Sequence, residues 1–371
     1  MGPKQIFPKY QLPTQNTTMF NTPYTETEEY QKEIADQYKK RIGNFDINDV
    51  LEGLQKLGFD VKADDLKTTT AGNMNTTYLT PDIVVKVNKQ NIPNFLSNKI
   101  VSDRLSDKAP VVKVLAYDYF EKIPFEMLVM KRESGTTLLD DIFELKEDEL
   151  KELFRQVLHA VKQIFNVKFD TFGWLNLEGK KSYQSFAEFL TYKFKKDAQK
   201  IRGEKLCMPE DLDKVEKYFL SHVQVFNTKE LPTIVHRDLH MGNFLHDATK
   251  LTAIIDFDWS MKGPKIGSLP RLLGFIDNPS QYTEGSPYFE KYKGKNFRFL
   301  MPVLKEELKE LFDDKDLLKK LSLLFISDGI KWIAENWSQK WNEDMMQAIL
   351  TKEMPETKND LQRTYSAQVL S

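Results

Sequence analysis

The chain has 371 residues, 40% of them hydrophobic and 12% aromatic, enough to fill one large core or two lobes and too apolar for a disordered chain. Its 53 Lys and Arg nearly balance 55 Asp and Glu, a formal charge of −2, which argues against a protein built to grip nucleic-acid phosphates. The single cysteine, Cys207, excludes an intrachain disulfide; with no apolar run near the roughly 18 residues of a membrane span and no signal-peptide core, a soluble, cytoplasmic protein with no membrane partner is expected.

Residues 1–24 carry four prolines and no apolar period, and read as an extended or disordered arm. Thr25 and Glu28 have capping-box spacing before a polar helix to about residue 40, and Asp46 is placed to cap a second helix, VLEGLQKL, stopped by Gly58. From about residue 60 to 132 the pattern turns to short β-rich runs, TTYLT, DIVVKV, PVVKVLAYDYF and FEMLVMK, with one helix near 92–105. That predicts a small sheet with a helix on it, an N-lobe over 25–132. SGTT at 134–137 then leads into amphipathic helices at 147–165, 182 to about 201, and 209–226, with later helices at 300–312 and 317 to about 341. A mainly helical C-lobe over 133–371 follows. Two short apolar runs, LPTIV and LTAIID, interrupt it.

Between those runs lies IVHRDLHMGNFLHD, with three of the five histidines. Asp238 stands five residues before Asn243, and Asp256 thirteen after it. Strands around 244–245 and 252–255 would form a hairpin that returns Asp256 to Asn243. Phosphoryl transfer needs a proton acceptor beside the attacking hydroxyl, metal ions on the phosphates and cations to absorb charge. Asp238 is the candidate catalytic base, and Asn243 and Asp256 offer the hard oxygen ligands Mg²⁺ prefers.

The segment resembles the aminoglycoside phosphotransferase and choline kinase-like family, relatives of the protein kinases, whose signature reads H-G-D-L-H-P-G-N followed by I-I-D-[WF]. This chain departs from it at Arg237 and Met241, neither an expected ligand. The resemblance implies a two-lobed protein-kinase-like α+β fold, ATP or GTP with Mg²⁺ in the cleft, and a small-molecule hydroxyl acceptor of aminoglycoside, choline or sugar type. It implies Lys86 of DIVVKV as the phosphate contact. It makes TTTAGNMNTT, with Thr70 and Gly72, the phosphate-covering loop, although the same residues alone would equally make a hairpin turn. It assigns the backbone of Met130, Lys131 and Arg132 to the adenine-binding hinge, with Leu245 and Ile255 as the apolar floor beneath the base.

One position departs from the family pattern: Asn98 stands where a helix Glu would pair with the strand lysine. An amide could still bond Lys86, without charge attraction, so Asn98→Glu is expected to strengthen nucleotide binding or turnover. The same departure leaves a nucleotide-binding pseudokinase as one alternative. Another is a metallohydrolase, with His236, Asp238 and His240 as an H-x-D-x-H ligand set on a strand. A protein kinase is disfavoured because no A-P-E follows DFDWS. His236 is expected to support the loop backbone, and Asp258 to steady Asp256, to touch a second metal, or to be a surface acid. Asp328 and Glu335, near Trp332 and Trp337, are expected to shape the acceptor pocket, and oligomeric state is left open.

Overall fold

The computed structural model describes residues 27–28, 30–32, 36, 45–69, 75–89, 93–177, 181–336 and 338–354. The arm over 1–24, Thr25, Thr70, Gly72 and Trp337 lie outside them.

Helix Ile47–Lys56 begins where expected, with the Asp46 carboxylate accepting the Asn48 N–H at 2.8 Å. Five strands follow: β1 (Lys67–Thr68), β2 (Thr76–Leu79), β3 (Ile83–Asn88), β4 (Val114–Tyr119) and β5 (Glu126–Lys131). They form one antiparallel sheet in the order β1-β2-β3-β5-β4. Alternation along β3 sends Ile83, Val85 and Val87 into a core shared with Val50 and Leu54 of the first helix. Val84 and Lys86 therefore take the opposite face, where Phe95, Leu128 and Met130 pack together. This is how a lysine in an apolar strand comes to face the rest of the molecule.

Helix Leu96–Leu105 crosses that second face, and a buried acid fastens its start. Glu126 of β5 accepts the N–H groups of Asn94 and Phe95, at 3.0 and 2.8 Å, and the Tyr117 hydroxyl at 3.0 Å. Burial raises its pKa to about 7 against those bonds.

After β5 the chain is mainly helical, giving the second, larger lobe of an α+β fold. Helix Glu147–Phe165 buries Leu150, Leu153, Phe154, Val157, Leu158, Val161 and Ile164, one stripe at helical period, at the centre of the main core. Helices Phe186–Glu204 and Leu317–Glu335 pack beside each other in the same core. The single helix expected from 317 to about 341 is broken: Asn336 turns left-handed at φ 56°, and Ser338 caps a new helix, Gln339–Ala348.

Six short strands stitch this lobe together. β6 (Thr136–Thr137), β9 (Phe244–Asp247) and β10 (Lys250–Ile254) form one antiparallel sheet, ordered β10-β9-β6; β7 (Gly173–Trp174), β8 (Thr233–Val235) and β11 (Met261–Gly263) form another, ordered β7-β11-β8. Two pairings lie where the chain passes from one lobe to the other. β6, immediately beyond β5, pairs with β9, and Val111 bridges Ile254, whose N–H donates to Pro110 O at 2.7 Å. At the first pairing Gly135 has φ +97°, and a Cβ there would lie 1.9 Å from His246 O, so the crossing needs glycine.

Candidate active site

The loop between β8 and β9 is held from behind by a histidine. His236 Nδ1 accepts the Asp238 N–H at 3.2 Å, so its ring proton lies on Nε2, 2.9 Å from Ile255 O. Burial lowers its pKa, in keeping with a neutral ring. Both nitrogens are committed to backbone, as its expected supporting role requires, and among the described residues no three His, Cys, Asp or Glu side chains gather as a metal site. His236, the first ligand of the metallohydrolase alternative, therefore has neither ring nitrogen free.

Asn243 ties the loop to the hairpin. Its Nδ2 donates to Asp238 O at 2.7 Å and to Asp238 Oδ2 at 3.2 Å, while its carbonyl accepts the Ile255 N–H at 3.0 Å. The turn of β9 into β10 thus returns the chain to Asn243 one residue before Asp256, as the spacing predicts. Asp256 is left-handed, at φ 66°, a conformation costly for a residue other than glycine and tolerated by Asp better than by most. Phe244 and Ile254 point into the core, so by alternation Leu245 and Ile255 lie half-buried on the other face.

Lys86 reaches this segment from β3. Its Nζ lies 2.9 Å from Asp256 Oδ1 and 3.2 Å from Asp258 Oδ2, bringing strand lysine and hairpin acids together. Burial would lower the lysine's pKa, but the two carboxylates outweigh it and hold Lys86 protonated. Asp256, whose side chain is 35% exposed, is raised by burial, but Lys86 and His236 together bring its pKa below the ordinary carboxylate value and it stays ionised. Asp258 is only 6% exposed, and burial followed by repulsion from Asp256 pushes its pKa up to about 7.

Asp258 is therefore no surface acid: it accepts Asn75 Nδ2 at 2.8 Å and Asn98 Nδ2 at 2.5 Å as well as Lys86. Asn98 does not bond Lys86, contrary to expectation. The helix that should have supplied an acid to the lysine supplies an amide to a second acid instead. Asn75 and Glu126 carry no expectation, and Asp258 only alternatives, because their partners lie far off in sequence; the signal available was an acid inside the apolar strand FEMLVMK and a second Asp in IIDFD.

Asp238 is 32% exposed on its side chain. Burial alone would raise its pKa, but His240, then Arg271 and His236, hold it well below the usual carboxylate range. His240 Nδ1 accepts the Gly242 N–H at 3.1 Å, which puts its proton on Nε2, 3.4 Å from Asp238 Oδ2.

The hinge backbone is partly committed within the sheet. The N–H groups of Lys131 and Arg132 are taken by Lys113 O at 2.9 Å and Asp82 O at 2.8 Å, because β5 continues pairing to its end. Arg132 Nη1 donates to Thr80 O at 2.6 Å, and Met130 is buried between β3 and β4. A base meeting this segment would meet carbonyl groups, or N–H groups beyond Arg132.

For Mg²⁺ the donors fit. The Asn243 Nδ2 bonds turn its Oδ1 away from Asp238, and Asp256 keeps an ionised, partly exposed carboxylate, so one amide oxygen and one carboxylate are available. Mg²⁺ commonly takes one or two protein oxygens and fills the rest of its octahedron with phosphate and water.

Comparison with known proteins bears on the fold and the family. A search of curated proteins finds no match. Among solved structures, a thermostable mutant of aminoglycoside phosphotransferase APH(4)-Ia superposes with a TM-score of 0.57 at 16% identity, covering 82% of this chain and 98% of that one. ADP-bound aminoglycoside phosphotransferase APH(2'')-Ib gives 0.55 at 17%, covering 88% and 100%. The GDP and kanamycin complex of APH(2")-IIia gives 0.57 at 16%, covering 81% and 97%. At such identities these likenesses speak for the fold. The family comparison reaches further: residues 71–266, more than half of the chain and the whole stretch from Asn75 through Lys86 to Asp258, match the phosphotransferase enzyme family, and the chain belongs to that family.

Proposed function

We propose that the protein moves the γ-phosphoryl group of ATP or GTP to a hydroxyl of a small molecule, with Asp238 as the base, Asn243 and Asp256 as Mg²⁺ ligands and Lys86 as the phosphate contact. The observation that carries this reading is the hydrogen-bonded unit in which Asn243 holds Asp238 while Lys86 meets Asp256 at 2.9 Å. Family membership supports the reaction type, and the relatives bound to ADP, GDP and kanamycin support a nucleotide donor and a small acceptor.

The acceptor hydroxyl would donate its proton to Asp238 as its oxygen bonds the γ-phosphorus. The bond from that phosphorus to the β–γ bridging oxygen breaks, and the nucleoside diphosphate leaves with the electron pair. Asp238, held ionised beforehand, orients the hydroxyl and takes its proton as the new bond forms. Mg²⁺, when bound, neutralises phosphate charge. Lys86 meets the phosphates with a charge kept on by Asp256 and Asp258, so Asn98 does not leave it without an acidic partner, and the pseudokinase alternative loses its motive. Leu245 and Ile255 would lie under the base, and Thr70 and Gly72 over the phosphates.

The test is an acceptor screen that follows ADP release. Asp238→Asn should lower kcat about 10²- to 10⁴-fold while ADP still binds. A variant as fast as wild type on a true acceptor removes the base assignment.

A further inference from the structure

Beside Asp238 the helical lobe carries a row of cationic and aromatic side chains. Arg271, on helix Leu269–Asp277, donates from Nε to Arg237 O at 3.3 Å, and its guanidinium carbon lies 5.8 Å from the ring centres of both Tyr282 and Trp332. In one direction Tyr282 packs 5.0 Å from His240, which faces Asp238. In the other, Lys331 Nζ lies 5.1 Å from the Trp332 ring and 4.0 Å from that of Trp259, which is 36% exposed. Arg271 acts on Asp238 strongly enough to help hold it ionised.

The acids here, the expected Asp328 and Glu335 and also Asp197, are already taken. Asp328 pairs with Arg237 and lies 3.8 Å from Lys193; Asp197 is 3.7 Å from Lys193; Glu335 is 3.2 Å from Lys331. Arg271 makes no salt bridge among the described residues. An ammonium group entering here meets neutralised carboxylates and an arginine, an arrangement that selects against cations. Tyr282, Asp238 and Asp328 favour the charge on Arg271, but no carboxylate among the described residues meets its guanidinium as a salt bridge, which leaves it able to give a planar anion two parallel hydrogen bonds.

We infer that the acceptor carries an anionic group, a carboxylate or phosphate ester, that Arg271 receives while the acceptor's hydroxyl faces Asp238 and its body lies against Trp259. This rests on the phosphotransferase reading and narrows its acceptor to anionic hydroxyl compounds. Arg237, the departure from the family signature, supports Arg271 from behind by its carbonyl and by occupying Asp328.

Calorimetry on the full chain, first with ADP and Mg²⁺ and then with matched probes added, tests it. Gluconate against sorbitol reads the carboxylate, glucose 6-phosphate against glucose reads the phosphate, and kanamycin reads a cation. At least one anion should bind ten-fold or more tighter than its neutral partner and tighter than kanamycin. Arg271→Gln should erase that preference while its ADP affinity and melting temperature stay near wild type, and Arg271→Lys should restore part of it. Kanamycin binding more tightly than either anion, no preference in either pair, or a preference that survives Arg271→Gln would overturn the inference. Failure of ADP itself to bind would instead remove the phosphotransferase reading on which it stands.

Discussion

Asn98 links two parts of the chain at once, donating to Asp258 at 2.5 Å while accepting the Phe257 N–H at 3.0 Å. The family pattern alone suggests that Asn98→Glu improves the lysine clamp; the geometry reverses that sign. Glutamate would set a second carboxylate against a buried acid and leave the Phe257 N–H with a poorer partner. We expect a loss of about 2 kcal/mol or more of folding stability and weaker ADP binding. A denaturation midpoint equal to wild type or above it would contradict this.

Asp256→Asn separates charge from conformation, since Asn tolerates the left-handed backbone as Asp does. The fold should survive, with Lys86 still paired to Asp258. ADP affinity should then no longer respond to Mg²⁺, whereas wild-type affinity should fall when EDTA is added. A variant that keeps the wild-type Mg²⁺ response would move the metal site elsewhere.

Glu284 gives a pH signature of its own. Burial pushes its pKa to about 8 from 4.5, against a bond from the Tyr30 hydroxyl at 2.8 Å. Between those values the folded chain holds a proton that the unfolded chain has released, so this group's stabilisation is complete at low pH and is lost as pH rises toward 8. Glu284→Gln should flatten the fall of melting temperature between about pH 5 and 8. Parallel pH curves for the two proteins would refute the assignment.

Gly135→Ala should cost about 3 kcal/mol or more, because its methyl group collides with the His246 carbonyl in a conformation alanine already resists. Thermal melting of the variant checks this. A loss below about 1 kcal/mol would mean that β6 can shift off β9 without consequence.

Much of this architecture was legible in the residues. The 147–165 stripe and the Asp46 cap are local signals written in neighbouring side chains, and the hairpin returning Asp256 to Asn243 follows from two short apolar runs and their spacing. β6, β7 and β11 were not legible, because strands of two or three residues are too short to display an alternation. The partner of Asn98 was hidden for a different reason. Its position was read from the lysine it was supposed to serve, whereas its true partner stands 160 residues away. Arg271 carried no local pattern at all; only the exhaustion of the neighbouring acids by other cations distinguishes it.

The contacts between the lobes have a mechanical consequence. Val111 bridges Ile254, Asn98 bonds Asp258 and the Phe257 N–H, and Lys86 pairs with Asp256, so the small lobe is tied at several points to the segment that ends the catalytic hairpin. Parting Lys86 from Asp256 would therefore strain the Asn98 bonds as well, whereas Asp238 and Asn243 stay bonded to each other within the large lobe.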